Sequence, residues 1–393
     1  MNSSNKIKIL IVGAGMFVTG RGSNNMGTIL PAVCSAYSNN LISEIIVAST
    51  SADSSGYAKK CVSKLNKIFN KKIKIKNYPT KGKNINAYLD VAKNLKPDAA
   101  IISVPDNLHF EICKNLIKLK IHCLVVKPLC DNLKEAKHLI RLTNQYKVLG
   151  LVEFHKRFDE ANILIKENIL KGKIGELLYS VIEYSQKKTI PEKIFKNWHE
   201  KTNVFQYLGV HYVDLIYHFT NFKPVSVLAI EQNEYLSSKK IKNSDTIQVI
   251  IEWLKPNKKK FTSYHFSSWI DPNSSSSMSD QKISLIGSKG KIVSDQKNRG
   301  LQIVNDNDGI EDINPYFSSL VYDKSYANSN FFGYGFKSIF SFVENVIDVN
   351  LNVTNFKKII KNNRSFEDSL TSTAIIEAAN KSLKLNKKIK IKI

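Results

Sequence analysis

Up to about residue 152, short apolar runs alternate with stretches whose apolar residues recur at helical spacing. Ile9 to Val12 leads into Gly13-Ala-Gly15, and a second apolar run begins near Thr28. Glu44 to Ala48 reads as a second strand ending at Ser49-Thr50-Ser51, followed by a helical pattern over 54–69. Lys72 to Lys76 predicts a third strand. Asn84 to Leu95 predicts a helix, stopped by Lys96-Pro97 because the residue before proline disfavours the helical region. Asp98 to Val104 is continuously apolar, as a parallel strand buried on both faces requires. It ends in Pro105-Asp-Asn-Leu-His109 and runs into a helix, Phe110 to Leu119. Ile121 to Val126 is the next strand and terminates at Lys127-Pro128-Leu129. Asp131 is the expected N-cap of a helix that reaches about Tyr146, and Val148 to Val152 is a further strand. Such alternation predicts an α/β fold with a doubly wound parallel sheet.

From Glu153 the rhythm changes. A helix over Asp159 to Leu170 precedes strands with alternating character: Leu178 to Tyr184, Pro224 to Glu231, Thr246 to Trp253, Lys260 to Ser267 and Lys282 to Ile286. A helix near Tyr207 to Phe219 interrupts them, a serine-rich loop spans Asn273 to Ser279, and late helices are expected over Phe336 to Asn350 and Phe366 to Leu385. This part reads as an α+β domain on a mostly antiparallel, open sheet. A chain of 393 residues suits two domains, here 1–152 and 153–393.

Composition changes this picture little. The formal charge of +24 raises nucleic acid as a partner, but the lysines are spread over nearly every segment. The local runs, Lys71 to Lys76, Lys258 to Lys260 and Lys387 to Lys392, alternate with isoleucine or cap turns, as solvated strand faces do. No nucleic-acid partner is expected, while an acidic ligand is easily accommodated. Cys34, Cys61, Cys113, Cys123 and Cys130 lie in apolar or helical patterns without a C-x-x-C pair, and they read as reduced buried thiols. No metal site, signal peptide or membrane span is visible, so a cytoplasmic protein is expected.

Chemistry enters at the glycine turn. Gly13 permits a tight turn, Gly15 lets backbone N–H groups approach a phosphate, and the next helix points its positive end there. Val18 stands where a third glycine is expected. Gly27 takes that role if Val18 to Met26 is an insertion, from which Arg21 can reach a cofactor phosphate. By itself this turn does not separate a dinucleotide site from an ordinary strand–helix turn. After the second strand there is no acidic residue until Asp53, so either Asp53 meets the ribose or the site accepts a 2′-phosphate.

Four stretches together carry a family likeness: the glycine loop, Asp98 to His109, Val125-Val-Lys127-Pro128-Leu129 and Gly209-Val-His211-Tyr-Val-Asp214. The Ile286-Gly-Ser-Lys-Gly290 turn and Ser365-Phe-Glu-Asp368 agree with it. Across nearly its whole length the chain resembles the glucose–fructose oxidoreductase / inositol dehydrogenase (Gfo/Idh/MocA) family. The resemblance implies an N-terminal Rossmann domain and an NAD or NADP cofactor held by Gly13, Gly15, Met16, Phe17, Arg21, Gly27, Ser49, Thr50, Val104, Pro105, His109, Lys127 and Pro128. It further implies hydride transfer at a carbon of a sugar, sugar acid or nucleotide-sugar, and a homodimer or homotetramer paired through the open C-terminal sheet. A redox-neutral glycosidase or epimerase and a non-enzymatic dinucleotide-binding regulator remain open on the same scaffold.

Lys127 ends a strand at the carboxyl edge of the sheet, where ligands of such folds bind, and Pro128 restricts its backbone. The family implies that it contacts the reacting hydroxyl, and a partly desolvated ammonium exchanges protons near neutrality. Family members usually carry Glu before this lysine, whereas this chain has Val126. His211 and Asp214 share a helix face, and the resemblance implies a proton relay for the histidine and a structural role for the aspartate. Where an Asp commonly stands one turn earlier, this chain has Tyr207, which can donate or relay a proton but is not an anion near neutrality. His155, Lys156 and Arg157 at the domain junction, with Trp198, Lys201 and Asn203, are the further substrate-side candidates, although packing explains each equally well.

Overall fold

The computed structural model describes residues 6–23, 25–195, 198–307, 309–321, 330–354, 356–362 and 364–393. The chain forms two compact units. One comprises Met1–Cys130, Lys134–His155 and Tyr316–Ser369, the other Asp131–Leu133, Lys156–Pro315 and Leu370–Ile393.

In the first unit, strands β1 (Ile7–Val12), β2 (Ile42–Ala48), β3 (Ile75–Tyr78), β4 (Ala99–Ile102), β5 (His122–Val126) and β6 (Gly150–Glu153) form one parallel sheet. Their order is 3-2-1-4-5-6, the doubly wound arrangement in which direction reverses between β1 and β4. All four residues of β4 are buried, as its apolar run requires. Helices α1 (Met16–Thr19), α2 (Ile29–Ser38), α3 (Ala52–Phe69), α4 (Ala87–Leu95), α5 (His109–Lys118) and α6 (Leu133–Tyr146) connect the strands. Two local expectations shift. The third strand begins at Ile75 rather than Lys72, and α6 begins at Leu133, so Asp131 stands ahead of its cap position.

The second unit starts at Lys156 and holds α7 (Glu160–Leu170), β7 (Leu177–Lys187), α8 (Val210–Thr220), β8 (Lys223–Gln232), α9 (Tyr235–Ser238), β9 (Thr246–Leu254), β10 (Lys260–Asp271), β11 (Ser279–Gly287) and β12 (Gly290–Asp295). These strands run in the order 12-11-7-10-9-8, closed by a short strand at Ile389–Lys390. Only β7 and β10 pair in parallel, and every other neighbour is antiparallel. Along β9, Ile247, Val249, Ile251 and Trp253 alternate into the core, the period of a sheet covered on one face. The other face stays open, with Leu178, Tyr179, Ile230, Tyr264 and Phe266 exposed. A Leu301–Asn305 / Gly309–Ile313 hairpin and the helix Leu370–Leu385 complete the unit.

The span 153–393, expected as a single second domain, divides. Residues 316–369 belong with the parallel sheet. The cause is the helix Tyr334–Asn350, whose Phe336, Ile339, Val343 and Val346 recur at three- and four-residue steps and bury against Ile29, Leu30 and Val33 of α2. Each such side chain contributes about 1.5–3 kcal/mol on burial. Farther along, Val152 donates its N–H to the Arg364 carbonyl at 2.9 Å and Phe366 donates to Gly150 at 2.9 Å, so the chain returns along β6. The Phe366 ring packs so closely that a Cβ at Gly150 would lie 2.6 Å from it and 2.7 Å from the Thr143 methyl. Gly150→Ala is therefore expected to destabilise the protein by about 1–3 kcal/mol through overpacking, read as a lower urea midpoint. An unchanged midpoint would show that Phe366 is free to move aside.

Candidate active site

In the first unit the candidate residues stand on loops at the carboxyl ends of β1, β2, β4, β5 and β6. Gly13 has φ +108°, and a Cβ there would stand 2.0 Å from the Ser103 carbonyl oxygen, so only glycine lets β1 turn this close to β4. At Gly15 a Cβ would meet no protein atom within 4 Å. Packing does not demand glycine there; its bare backbone faces open space, as a pyrophosphate requires. Met16 and Phe17 open α1, and Val18 and Thr19 close it, so the loop insertion narrows to Gly20–Met26, in which residue 24 lies outside the described residues. Gly27, φ +75°, fits against the Val18 backbone, 2.6 Å from where its Cβ would be. Its role is thus close packing of this loop on α1.

At the end of β2, Ser49 donates from its hydroxyl to the Ser51 carbonyl, and Ser51 caps α3 by accepting from the Ser54 N–H. Arg21 donates from Nη1 to Ser54 Oγ at 2.7 Å and lies 5.6 Å over the Tyr57 ring. The loop carrying Lys81 and Lys83 runs alongside, with Ala52 donating to Gly82 and Asn84 to the Thr50 carbonyl. Asp53 is exposed in the first turn of α3. This corner is therefore hydroxyl-rich and cationic. After β4, the His109 ring bridges two loops: Nδ1 lies 2.8 Å from the Pro128 carbonyl oxygen and Nε2 3.0 Å from that of Val104. Val104 and Pro128 are thereby held in fixed relation.

Lys127 follows β5 and is half-buried, with a cis peptide bond to Pro128. Burial lowers its ammonium from the ordinary lysine value to about 8, against the opposing pull of Asp106 and Glu153. Neither acid figured in the sequence reading, which looked for a carboxylate one residue before the lysine. Glu153 instead ends β6 directly across the sheet from Val126. The available signal was a carboxylate closing an otherwise apolar strand. Glu153 Oε2 pairs with His155 Nδ1 at 2.7 Å, and its buried Oε1 has no hydrogen-bond partner among the described residues. The His155 ring sits among Phe17, Phe317 and Tyr334 at 5.2–5.9 Å, in the first unit.

The second unit holds the other candidates. His211, buried in α8, packs 6.1 Å from the Tyr184 ring. Burial raises the Tyr184 hydroxyl above the ordinary tyrosine value. Lys156, also buried, lies 5.5 and 5.3 Å over Tyr184 and Tyr212 and donates to Gln281 Oε1. Arg157 is committed elsewhere: its Nε and Nη2 form a two-point pair with Asp214 at 2.8 and 2.5 Å, and both side chains are enclosed. Asn203 caps the turn before α8 by accepting from the Gln206 N–H, and it donates to Asn380. Tyr207 lies on that turn with Phe195, Trp198 and Trp269 at 4.7, 5.8 and 6.1 Å. The position that commonly carries Asp in the family thus has aromatic neighbours here.

A doubly wound sheet with a phosphate-fitting glycine loop, followed by an α+β unit with an open sheet, is the architecture of a two-domain dinucleotide-binding protein. The chain belongs to the Gfo/Idh/MocA oxidoreductase family: the model of its NAD-binding Rossmann fold matches residues 7–154, and that of its C-terminal domain matches 163–293. Among curated proteins, an uncharacterized oxidoreductase of Schizosaccharomyces pombe is 31% identical over 81 residues, 21% of this chain and 22% of that one. The scyllo-inositol 2-dehydrogenase (NADP(+)) of Bacillus subtilis is 26% identical over 142 residues, 35% and 39% of the two chains. The matched stretches thus span well under half of those relatives. Solved structures agree over the full fold. The scyllo-inositol dehydrogenase of Lactobacillus casei with bound NAD(H) and scyllo-inositol has TM-score 0.68 at 16% identity, covering 98% of this chain and 99% of that one. GenD2 from gentamicin A biosynthesis, in complex with NAD, has TM-score 0.69 at 14% identity, covering 100% and 98%.

If the corner at Arg21 holds an anion, NADP binds at least as well as NAD. Arg21→Ala then weakens NADP about tenfold or more, the worth of a charge-assisted hydrogen bond, and leaves NAD nearly unchanged. Titration of both dinucleotides checks this; a preference for NAD of about a hundredfold would assign the ribose to Asp53 instead.

Proposed function

We propose that this chain is an NAD(P)-dependent oxidoreductase that moves a hydride at a carbinol carbon of a polyol, sugar or sugar derivative, with Lys127 and His211 handling the hydroxyl proton. The observation that carries this reading is Lys127 itself, a lysine at the carboxyl edge of the parallel sheet whose ammonium burial holds at about 8. Such a group exists in both protonation states near neutrality. Below that pH it is an ammonium and can donate a proton to a carbonyl oxygen; above it, it is an amine and can accept one from a hydroxyl. The bound nicotinamide supplies the hydride acceptor or donor, and Gly13, Gly15, Arg21, Ser49, Thr50, Val104, Pro105 and Pro128 are the residues that would hold the dinucleotide. His211, buried beside Tyr184, serves as the second proton-carrying group. Trp198 and Tyr207 offer aromatic faces suited to the apolar side of a sugar ring, a partner in keeping with the inositol dehydrogenases among the structural neighbours.

The same reading assigns the open sheet face, with Tyr264 36% and Phe266 44% exposed, to a second copy of the chain. Sedimentation of the wild type and of Phe266→Glu checks that part: the variant should lose the dimer. The enzymatic part is tested with scyllo- and myo-inositol and simple aldoses, following the absorbance of the reduced nicotinamide. Lys127→Met should lower turnover by about 10²–10⁴, the usual contribution of general acid–base catalysis, while dinucleotide affinity changes far less. His211→Asn should be milder. Near-normal turnover in Lys127→Met would contradict the assignment.

A further inference from the structure

We infer that Glu153 is the positioning residue for Lys127: its carboxylate takes the place of the missing acid before the lysine and steers the ammonium to the reacting end of the sheet. This rests on the reading of Lys127 as the acid–base group and names the residue that makes it one.

Position 126 carries valine, so no acid precedes the lysine along the chain. Across the sheet the situation differs. Val126 and Glu153 are register partners on the adjacent parallel strands β5 and β6. Neighbouring strands lie about 4.8 Å apart, so β6 delivers a carboxylate at the height where the chain itself supplies none. A valine before the lysine and a glutamate opposite it form an exchange of charge between strands.

The Glu153 side chain is 1% exposed, a placement that a carboxylate adopts only with cations or donors to meet it. One oxygen is satisfied, because Oε2 lies 2.7 Å from His155 Nδ1. Phe17, Phe317 and Tyr334 surround that imidazole and restrain its ring, so the pair fixes the carboxylate rather than following it. The other oxygen, Oε1, is buried and has no hydrogen-bond partner among the described residues. A fold that needed Glu153 only to anchor His155 would gain nothing from this second oxygen. Its use is electrostatic: Glu153 and Asp106 are the two acids whose fields favour the protonated lysine. His155 is paired with Glu153 Oε2, and His109 is engaged with the carbonyls of Val104 and Pro128. Asp106 comes from the turn after β4 and Glu153 from β6, so the lysine head is drawn by anions on two different segments.

Glu153→Gln separates this role from a structural one. A glutamine keeps the volume and an oxygen to accept from His155, and removes only the charge. The experiment is reductive ¹³C-methylation of the full-length protein without cofactor or substrate, with the Lys127 resonance identified as the one lost in Lys127→Arg. Its titration midpoint should lie near 8 in the wild type and fall by about one pH unit in Glu153→Gln. The charge-swapped pair Val126→Glu, Glu153→Gln should return it toward the wild-type value. Glu153→Asp, the gentler change, should lower the midpoint by less and serves if the glutamine variant does not fold. In the pH profile of kcat/KM the lysine limb should move in parallel. An unchanged midpoint in folded Glu153→Gln overturns the inference, whatever the turnover. A midpoint that falls in a protein with no NAD(P)-dependent turnover supports the charge pairing and rejects the dehydrogenase reading, so the two claims fail separately.

Discussion

A parallel sheet covered on both faces has no interior position at which a polar side chain can meet a ligand, and this constraint shapes the whole first unit. Strands such as β4 consist entirely of buried apolar residues. Polar chemistry is thereby displaced to the ends of the strands, and in a doubly wound sheet the carboxyl ends converge on the crevice where strand order reverses. Gly13, the Val104–Pro105 turn, Lys127 and Glu153 all occupy that edge. Each is the first residue, or nearly so, at which its strand is released from the core.

The same burial that stabilises the sheet supplies the electrostatics of the edge. Desolvation brings an ammonium down to about 8, and two buried acids keep it from falling further. In water these groups would interact weakly; at the rim of a low-dielectric core a charge one strand away still matters. In the second unit, by contrast, Arg157 and Asp214 form a buried two-point ion pair that serves as a strut. Removing one partner of such a buried pair costs about 3–5 kcal/mol because the other charge is left behind. A buried pair and a buried reactive group thus arise from similar residues, distinguished by whether both charges are fully matched.

Much of this was legible in the residues. The alternation of continuous apolar runs with helical periods identified the parallel sheet, and the break in rhythm at Glu153 marked the change to alternating strands. What eluded the pattern has physical causes. In 71–76 lysine and isoleucine alternate before the true third strand, so periodicity alone places that strand too early. Helix periodicity in 334–350 shows that one face is apolar but not that α2 covers it, hence the misassignment of residues 316–369. The acid beside Lys127 was sought along the chain, at Val126, whereas the sheet provides it across the register, at Glu153. Phe195, Trp198 and Trp269 stand around Tyr207, neighbours that linear spacing does not reveal.

A lysine tuned by burial is the group on which the proposed hydride transfer turns. The most direct measurement is the single-turnover rate of nicotinamide reduction as a function of pH, with saturating polyol, in wild type and Lys127→Met. A rate that rises through a midpoint near 8 in the wild type, and is slow and flat across that range in the variant, is the predicted result. The same rising limb in both proteins would contradict it.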